Sequence, residues 1–402
     1  MMRANIRLTI SVLGTAIILA PAASAYLFDS TAPRAPGCPQ TDRWSLSLET
    51  PLDRQWSASL PTTHAILTVA PQGTSAQRDE VEQAIEDSFG AWTGVVGTTF
   101  NTKAYPGMVA PLVRVASANA CSNDQESNVD GRNTICFNQP SAGFTAGVLA
   151  FTRVITANAP GVSIVGAQPA TFAGQILDAD TLFRPDGQVN FATPAALAGT
   201  PAAYDLESLL THEIGHWFGL DHSAVWRAIM FPYAPPPGQF LGARPSVQTP
   251  DGPLSDDDRT GIRALYPDPQ DAIDIGTIHG RVLPANLFSL VAFPSPPSGR
   301  SVTGVFGAHV VITDSDTGAV VAGSFSGWSC NASGTAPQFD GSYDIERLPV
   351  GHNYTVYAEP LDGLAAPADF SNALNKICAS SSPCTTPAPN TTFNPRVLPT
   401  SQ

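Results

Sequence analysis

Positive charge is scarce in this chain: 20 Lys and Arg stand against 34 Asp and Glu in 402 residues, a net charge of −14. Phosphate backbones and anionic membranes are gripped through clustered cations, so a nucleic-acid partner is not expected. Charge of either sign is thin, at 13% of the sequence, which leaves little material for long solvent-facing helices. Instead, 33 Gly and 37 Pro point to turns, loops and strands. After residue 25 no apolar run is long enough to span a bilayer, so no transmembrane anchor is expected once that segment is removed. Nothing in the composition bears on oligomeric state.

The first 25 residues have the layout of a secretory signal. Arg3 and Arg7 precede an apolar stretch from Leu8 to Ala20 that closes on the small-residue site Ala23-Ser24-Ala25. The expected location is therefore extracellular, reached by what looks like bacterial export. Outside the cytosol an even number of cysteines favours disulfides. Of the six, Cys121 and Cys136 bracket a polar loop and form a candidate bridge, and Cys378 and Cys384 lie close together near the end.

A chain of this length divides into more than one folded unit. Thr74 with Gln77 resembles a capping box, and Val81, Ala84, Ile85, Ser88, Phe89 and Trp92 recur at helical spacing behind it. Short β-branched runs at Leu112 to Val115, Thr134 to Phe137, Gly147 to Ile155 and Gly174 to Phe183 alternate with polar turns, as in a sheet. A second helix is expected from Tyr204 to Phe218, with Leu206, Leu209, Leu210, Ile214 and Trp217 on one side and Gly219 ending it. A third begins after Ser255 and stops at Pro267. Beyond Pro269 the texture changes to turn-separated strands, among them His309 to Thr313, Ala319 to Ser324, Tyr343 to Ile345 and Asn353 to Ala358.

The segment that carries chemistry runs from His212 to His222, His-Glu-Ile-Gly-His-Trp-Phe-Gly-Leu-Asp-His. Histidines four residues apart share a helix face, so His212 and His216 can both reach one zinc ion. Glu213 points about 100° further round the helix, where its carboxylate can serve an attacking water as general base instead of ligating. Gly219 lets the backbone leave the helix in a left-handed conformation, and the chain can then return His222 as third ligand. The competing reading, an ordinary amphipathic helix, does not account for the glycine and third histidine at those offsets.

These residues, with Met230 in Ala228-Ile229-Met230-Phe231-Pro232-Tyr233, resemble the metzincin clan and within it the matrixins. Leu254 to Tyr266 is similar to that family's closing helix, and Asp130-Gly131-Arg132-Asn133-Thr134 and Ile176-Leu177-Asp178-Ala179-Asp180 look like motifs of its bacterial branch. The resemblance implies an α+β fold: a catalytic domain of a mixed twisted sheet plus three helices, with Met230 as an apolar floor under the histidines. It also implies a pocket for the substrate side chain after the cut bond, with Ser208 at its inner end and Pro232 and Tyr233 in its wall. Two features depart from the animal matrixins. No histidine lies between His64 and His212 to serve their additional structural zinc, and Cys38 lacks their latency motif and is expected as a disulfide or free thiol.

Gly280-Arg281-Val282, Gly307 to Ile312, Gly341 to Ile345 and Leu348 to Gly351 resemble the all-β sandwich that follows many carboxypeptidase domains. His279, His309 and His352 are expected there as surface or core residues. The expected organisation is a signal peptide at 1–25, a lead at 26–43, the metallopeptidase domain at 44–268, the sandwich at 272–378 and a Ser/Thr/Pro-rich tail at 379–402. The expected activity is zinc-dependent hydrolysis of peptide bonds in protein or peptide substrates. The rival is an extracellular binding or adhesive protein whose zinc site is only structural. Calcium is a weaker expectation, resting on Asp124, Asp130, Asp178, Asp180 and Asp186 in oxygen-rich stretches, where such residues also cap their own turns.

Overall fold

The computed structural model describes residues 27–31, 37–61, 66–102, 107–116, 130–139, 144–164, 166–185, 187, 189–239, 253–270, 275–285, 303–361, 365–370, 373–374, 377–378, 386–389, 391 and 393–394. The chain is mixed α+β, with few helices and several sheets. In chain order the elements that frame the site are β1 (Gln55–Ser57), α1 (Ser75–Thr93), β2 (Val113–Val115), β3 (Thr134–Cys136), β4 (Ala150–Thr156), β5 (Ile176–Phe183), α2 (Leu206–Trp217) and α3 (Asp256–Leu265). Five strands form one sheet in the order β2-β1-β3-β5-β4. All neighbours run parallel except β4, which lies antiparallel to β5 at the edge.

Strand β5 is buried along its whole length, including Asp178 and Asp180. Buried carboxylates need partners, and Asp180 accepts a hydrogen bond of 2.9 Å from the Thr134 amide, while Asn133 Oδ1 accepts one of 2.9 Å from Ala179. The two short motifs around residues 130–134 and 176–180 therefore bond to each other across β3 and β5.

Helix α1 buries Val81, Ala84, Ile85, Ser88, Phe89 and Trp92, the face expected from their spacing. Its cap is only half of a capping box. The Thr74 hydroxyl accepts from the Gln77 amide at 3.2 Å, but Gln77 Oε1 accepts from Gly73, one residue before the cap. From this face Trp92 Nε1 donates to Thr211 O at 2.8 Å and Ser88 Oγ to Glu207 O at 3.1 Å, which pins α2 over the sheet.

Helix α2 starts two residues later than its apolar pattern suggests. Tyr204 and Asp205 extend to pair in parallel with Phe191 and Ala192, and Asp205 then caps the helix by accepting from Ser208 N. Helix α3 carries a full capping box between Ser255 and Asp258. The main core gathers Trp44, Trp56, Phe89, Trp92, Ile214, Trp217, Phe218, Met230 and Tyr266 between these helices and the sheet.

Beyond α3 come β6 (Ile275–Arg281), β7 (His309–Asp314), β8 (Val320–Phe325), β9 (Ser342–Pro349) and β10 (Tyr354–Glu359). Strands β6 and β9 pair antiparallel, and β8-β7-β10 form a second antiparallel sheet. Val310, Ile312, Ala322, Ile345 and Leu348 from both sheets share one apolar cluster. A further cluster joins three distant stretches: Leu27 and Cys38, Phe231 after Met230, and Phe325, Trp328, Leu361, Phe370 and Leu374. Cys38 and Cys330 are disulfide-bonded across 292 residues. Cys136 and Cys378 are also oxidised, whereas Cys121, the partner expected for Cys136, and Cys384 lie outside the described residues, as do residues 1–26. Among the described residues no helix is long and apolar enough to cross a membrane.

Candidate metal centre

Helix α2 brings the first two histidines together. One turn separates His212 from His216, and their ring centroids are 4.9 Å apart. The helix is then stopped abruptly: Gly219 N donates to His216 O at 2.8 Å and Leu220 N to Gly215 O at 3.0 Å, the paired bonds of a Schellman cap. Gly219 has φ 100°, and a Cβ there would overlap the Asp42 carbonyl, so the exit needs glycine on two counts. Asp221 N donates to Leu27 O, and Phe28 bridges Leu220, so the turn is laid against the start of the described chain. His222 follows, with its ring 5.4 Å from His212 and 4.9 Å from His216.

All three imidazoles present a ligand atom within 4.8 Å of one another, and among the described residues this is the one such grouping of three metal-ligating side chains. Each Nδ1 meets a backbone carbonyl: Ile229 O at 2.7 Å for His212, Leu220 O at 2.7 Å for His216 and Asp369 O at 2.6 Å for His222. A carbonyl only accepts, so each Nδ1 carries a proton and each Nε2 keeps a free lone pair. Burial, then the neighbouring His222, holds His212 down to about 3, and the same two causes hold His216 well below its ordinary value. Neutral rings are the ligand-competent form. Three imidazoles that each present one ligand atom to a common point are the donor set zinc takes in hydrolytic sites, so these residues fit that ion.

Glu213 is buried beside the cluster. The Thr152 hydroxyl, on edge strand β4, donates to Glu213 Oε2 at 2.8 Å, lies 3.0 Å from the Glu213 carbonyl and is 2.9 Å from Thr181 Oγ1, its cross-strand neighbour. Burial pushes the Glu213 carboxyl up to about 8, against the lowering effect of the Thr152 hydrogen bond. The charge of a bound cation acts in the opposite sense and favours the carboxylate. Thr152 was not singled out in the sequence, and only its place in a β-branched run hinted at it.

Met230 is buried under the helix. A Cβ at Gly215 would overlap Met230 Sδ and come within 2.9 Å of the Trp92 ring, so glycine inside the His-Glu-Ile-Gly-His run makes room for the Met230 side chain. The loop carrying Met230 hangs from α3: Asp258 accepts from Ile229 N at 2.8 Å and Met230 N at 3.2 Å. Next to it Asp257 accepts from Ser223 Oγ at 2.6 Å and from Gly323 N of β8 at 2.6 Å, linking the residue after His222 to the C-terminal strands. Burial raises both carboxyls.

Ser208 is buried in the first turn of α2, its hydroxyl turned back to Asp205 O at 3.3 Å. Pro232 is half-buried and Tyr233 exposed, with the Tyr233 hydroxyl donating to Asp369 Oδ2 at 3.1 Å. His309 and His352 bond to Glu359 and Asp314. Asp130, Asp178 and Asp180 join no grouping of three ligand atoms among the described residues, and Asp124 and Asp186 lie outside them.

The family model described as Matrixin matches residues 55–267. Metalloendoproteinase 1 of Glycine max is 46% identical over 65 residues, covering 16% of this chain and 18% of that protein. Metalloendoproteinase 1-MMP of Arabidopsis thaliana is 37% identical over 100 residues, 22% of this chain and 24% of its own. The chain thus aligns with less than a quarter of either relative's length.

Proposed function

The chain belongs to the matrixin family, and from that premise we propose that it is a zinc-dependent endopeptidase with His212, His216 and His222 as ligands and Glu213 as general base. The observation that carries this reading is the set of three Nδ1–carbonyl bonds around one point with a buried, oriented carboxylate beside it. Zinc, when bound, supplies polarisation of the scissile carbonyl and a lowered pKa for water. Glu213 takes one proton from the attacking water as its oxygen bonds to the carbonyl carbon. It returns that proton to the amide nitrogen as the C–N bond breaks, giving a carboxylic acid and an amine. Thr152 keeps the carboxylate turned toward its work.

Strand β4 stands at the sheet edge, and an extended substrate can add to such an edge through backbone hydrogen bonds. Ser208, Pro232 and Tyr233 are proposed to bound the pocket for the side chain after the cut bond. Cleavage profiles of a peptide library test this, and a lack of preference for Leu, Met or Phe there would count against it. Export is proposed on the N-terminal pattern and is supported by the oxidised state of Cys38, Cys136, Cys330 and Cys378. Mass determination of the mature N-terminus tests it, and a retained residue 1 would oppose it. The carboxypeptidase-regulatory likeness of the β6–β10 strands and the bacterial-branch placement are proposals of the same kind, carried by their motifs. No part of the proposal rests on calcium.

Casein or gelatin cleavage by purified protein should vanish with chelator and return with zinc. Glu213→Gln should lose activity by about 10²–10⁴-fold while retaining about one zinc per chain, since the carboxylate is not a ligand. Zinc bound without any hydrolysis by the unsubstituted protein would favour the adhesive reading.

A further inference from the structure

Two of the carbonyls that orient the histidines lie inside the family-matched span, on Ile229 and Leu220. The third does not. His222 Nδ1 is held at 2.6 Å by the carbonyl of Asp369, in the short helical turn Pro367–Phe370 that follows β10. We propose that Asp369 is a positioning residue of the metal centre, its carbonyl orienting His222 and its carboxylate anchoring Tyr233. The proposal rests on the metal reading given above.

The turn is built to hold that place. Asp369 Oδ2 accepts from Ala366 N at 2.7 Å, closing the turn on itself, and from the Tyr233 hydroxyl at 3.1 Å. Phe370 is fully buried and packs edge-on against Phe325 at 5.0 Å, within the cluster that contains Leu27, Cys38 and Phe231. Just beyond, Ala373 N donates to Asp221 Oδ2 at 2.9 Å, while Asp221 Oδ1 accepts from His222 N at 2.8 Å. His222 is therefore gripped from both sides by residues bound to one C-terminal segment. An outer carbonyl fixes the ring's tautomer and aim and raises its basicity, and its loss typically weakens metal binding about 10–100-fold. Because Tyr233 follows Met230 in the same loop, one residue ties the third ligand to the wall proposed for the substrate pocket.

The test uses the full chain and chelator competition for zinc. Asp369→Ala, which releases the turn, should weaken zinc binding about 10-fold, with cobalt substitution showing a changed visible spectrum. Asp369→Asn keeps an acceptor oxygen for Ala366 and Tyr233 and should stay within about twofold of wild type. Tyr233→Phe should leave zinc affinity unchanged and alter the preference for the residue after the cut bond. The unsubstituted zinc-loaded protein offers a check that needs no variant: three hydrogen-bonded, slowly exchanging Nδ1 protons in its proton–nitrogen NMR spectrum. Only two such protons, or an Asp369→Ala protein that binds zinc as tightly as wild type, would overturn this proposal alone. A wild-type protein that binds no zinc would overturn the metal reading and this proposal with it.

Discussion

His212 and His216 are held by one kind of support and His222 by another. The first two ride on α2, where the pitch of a capped helix sets their spacing, and their carbonyl partners lie 17 and 4 residues away. His222 lies past the helix, and its partner is 147 residues distant. Its position requires the turn at Gly219, the backbone of Leu27 and Phe28 against Asp221 and Leu220, and the turn at 367–370 to meet. The placement of two histidines is thus a property of secondary structure, and that of the third is a property of the whole tertiary fold.

Removing a ligand from each side has the largest expected effect. His216→Ala and His222→Ala should both bind zinc more weakly than the about 10–100-fold expected for loss of an outer-shell partner, with hydrolysis lost, as metal analysis and chelator competition would read. Near-normal zinc affinity in His222→Ala would break the comparison, because the helix pair would then suffice. Asp257→Asn probes the tertiary side. Burial first, then Asp258, pushes the Asp257 carboxyl from 3.8 up to about 7. The folded chain then holds this proton more tightly than the unfolded chain. The group's contribution is favourable below about pH 4 and is lost as pH rises toward 7, at up to about 1.4 kcal/mol per pH unit. Asn carries no such proton, so denaturant titrations should show the variant gaining on wild type across that window. A difference independent of pH would remove Asp257 from the account. Gly215→Ala probes the helix side and has the smallest effect, a loss of about 1–3 kcal/mol at any pH from overpacking against Met230 and Trp92. An unchanged denaturation midpoint would show that the floor is not wedged there.

The same division explains what could be read from the sequence. His212, Glu213, His216, Gly219 and the buried face of α1 obey the 3.6-residue period or a capping rule, so their arrangement follows from residue order. Thr152 obeys a period of two within β4, which says which strand it is on but not that α2 crosses there to place Glu213 above it. Ser255 was legible as the residue before the third helix, but nothing marked Asp258 as its capping-box partner or as the acceptor for the Met230 loop. Asp369 and the Cys38–Cys330 bridge leave no local trace, because a contact across 147 or 292 residues is set by packing of whole sheets. Tyr204 and Asp205 fit the helical pattern but are drawn into a strand pair, so α2 begins two residues later than that pattern suggests.

The bridge from Cys38 to Cys330 closes a ring around everything between them, and synthesis delivers that ring one end first. Cys38 leaves the ribosome long before its partner exists, and Leu27, which packs in the same cluster as Phe325 and Phe370, waits as long for its neighbours. When His212, His216 and His222 have all emerged, the strands around Cys330 and the turn at Asp369 are still to be made. A growing chain therefore passes through a stage with all three histidines present and the third one untethered. The contact that aims His222 arrives only with the turn at 367–370, so the order of manufacture sets when the three histidines come into register.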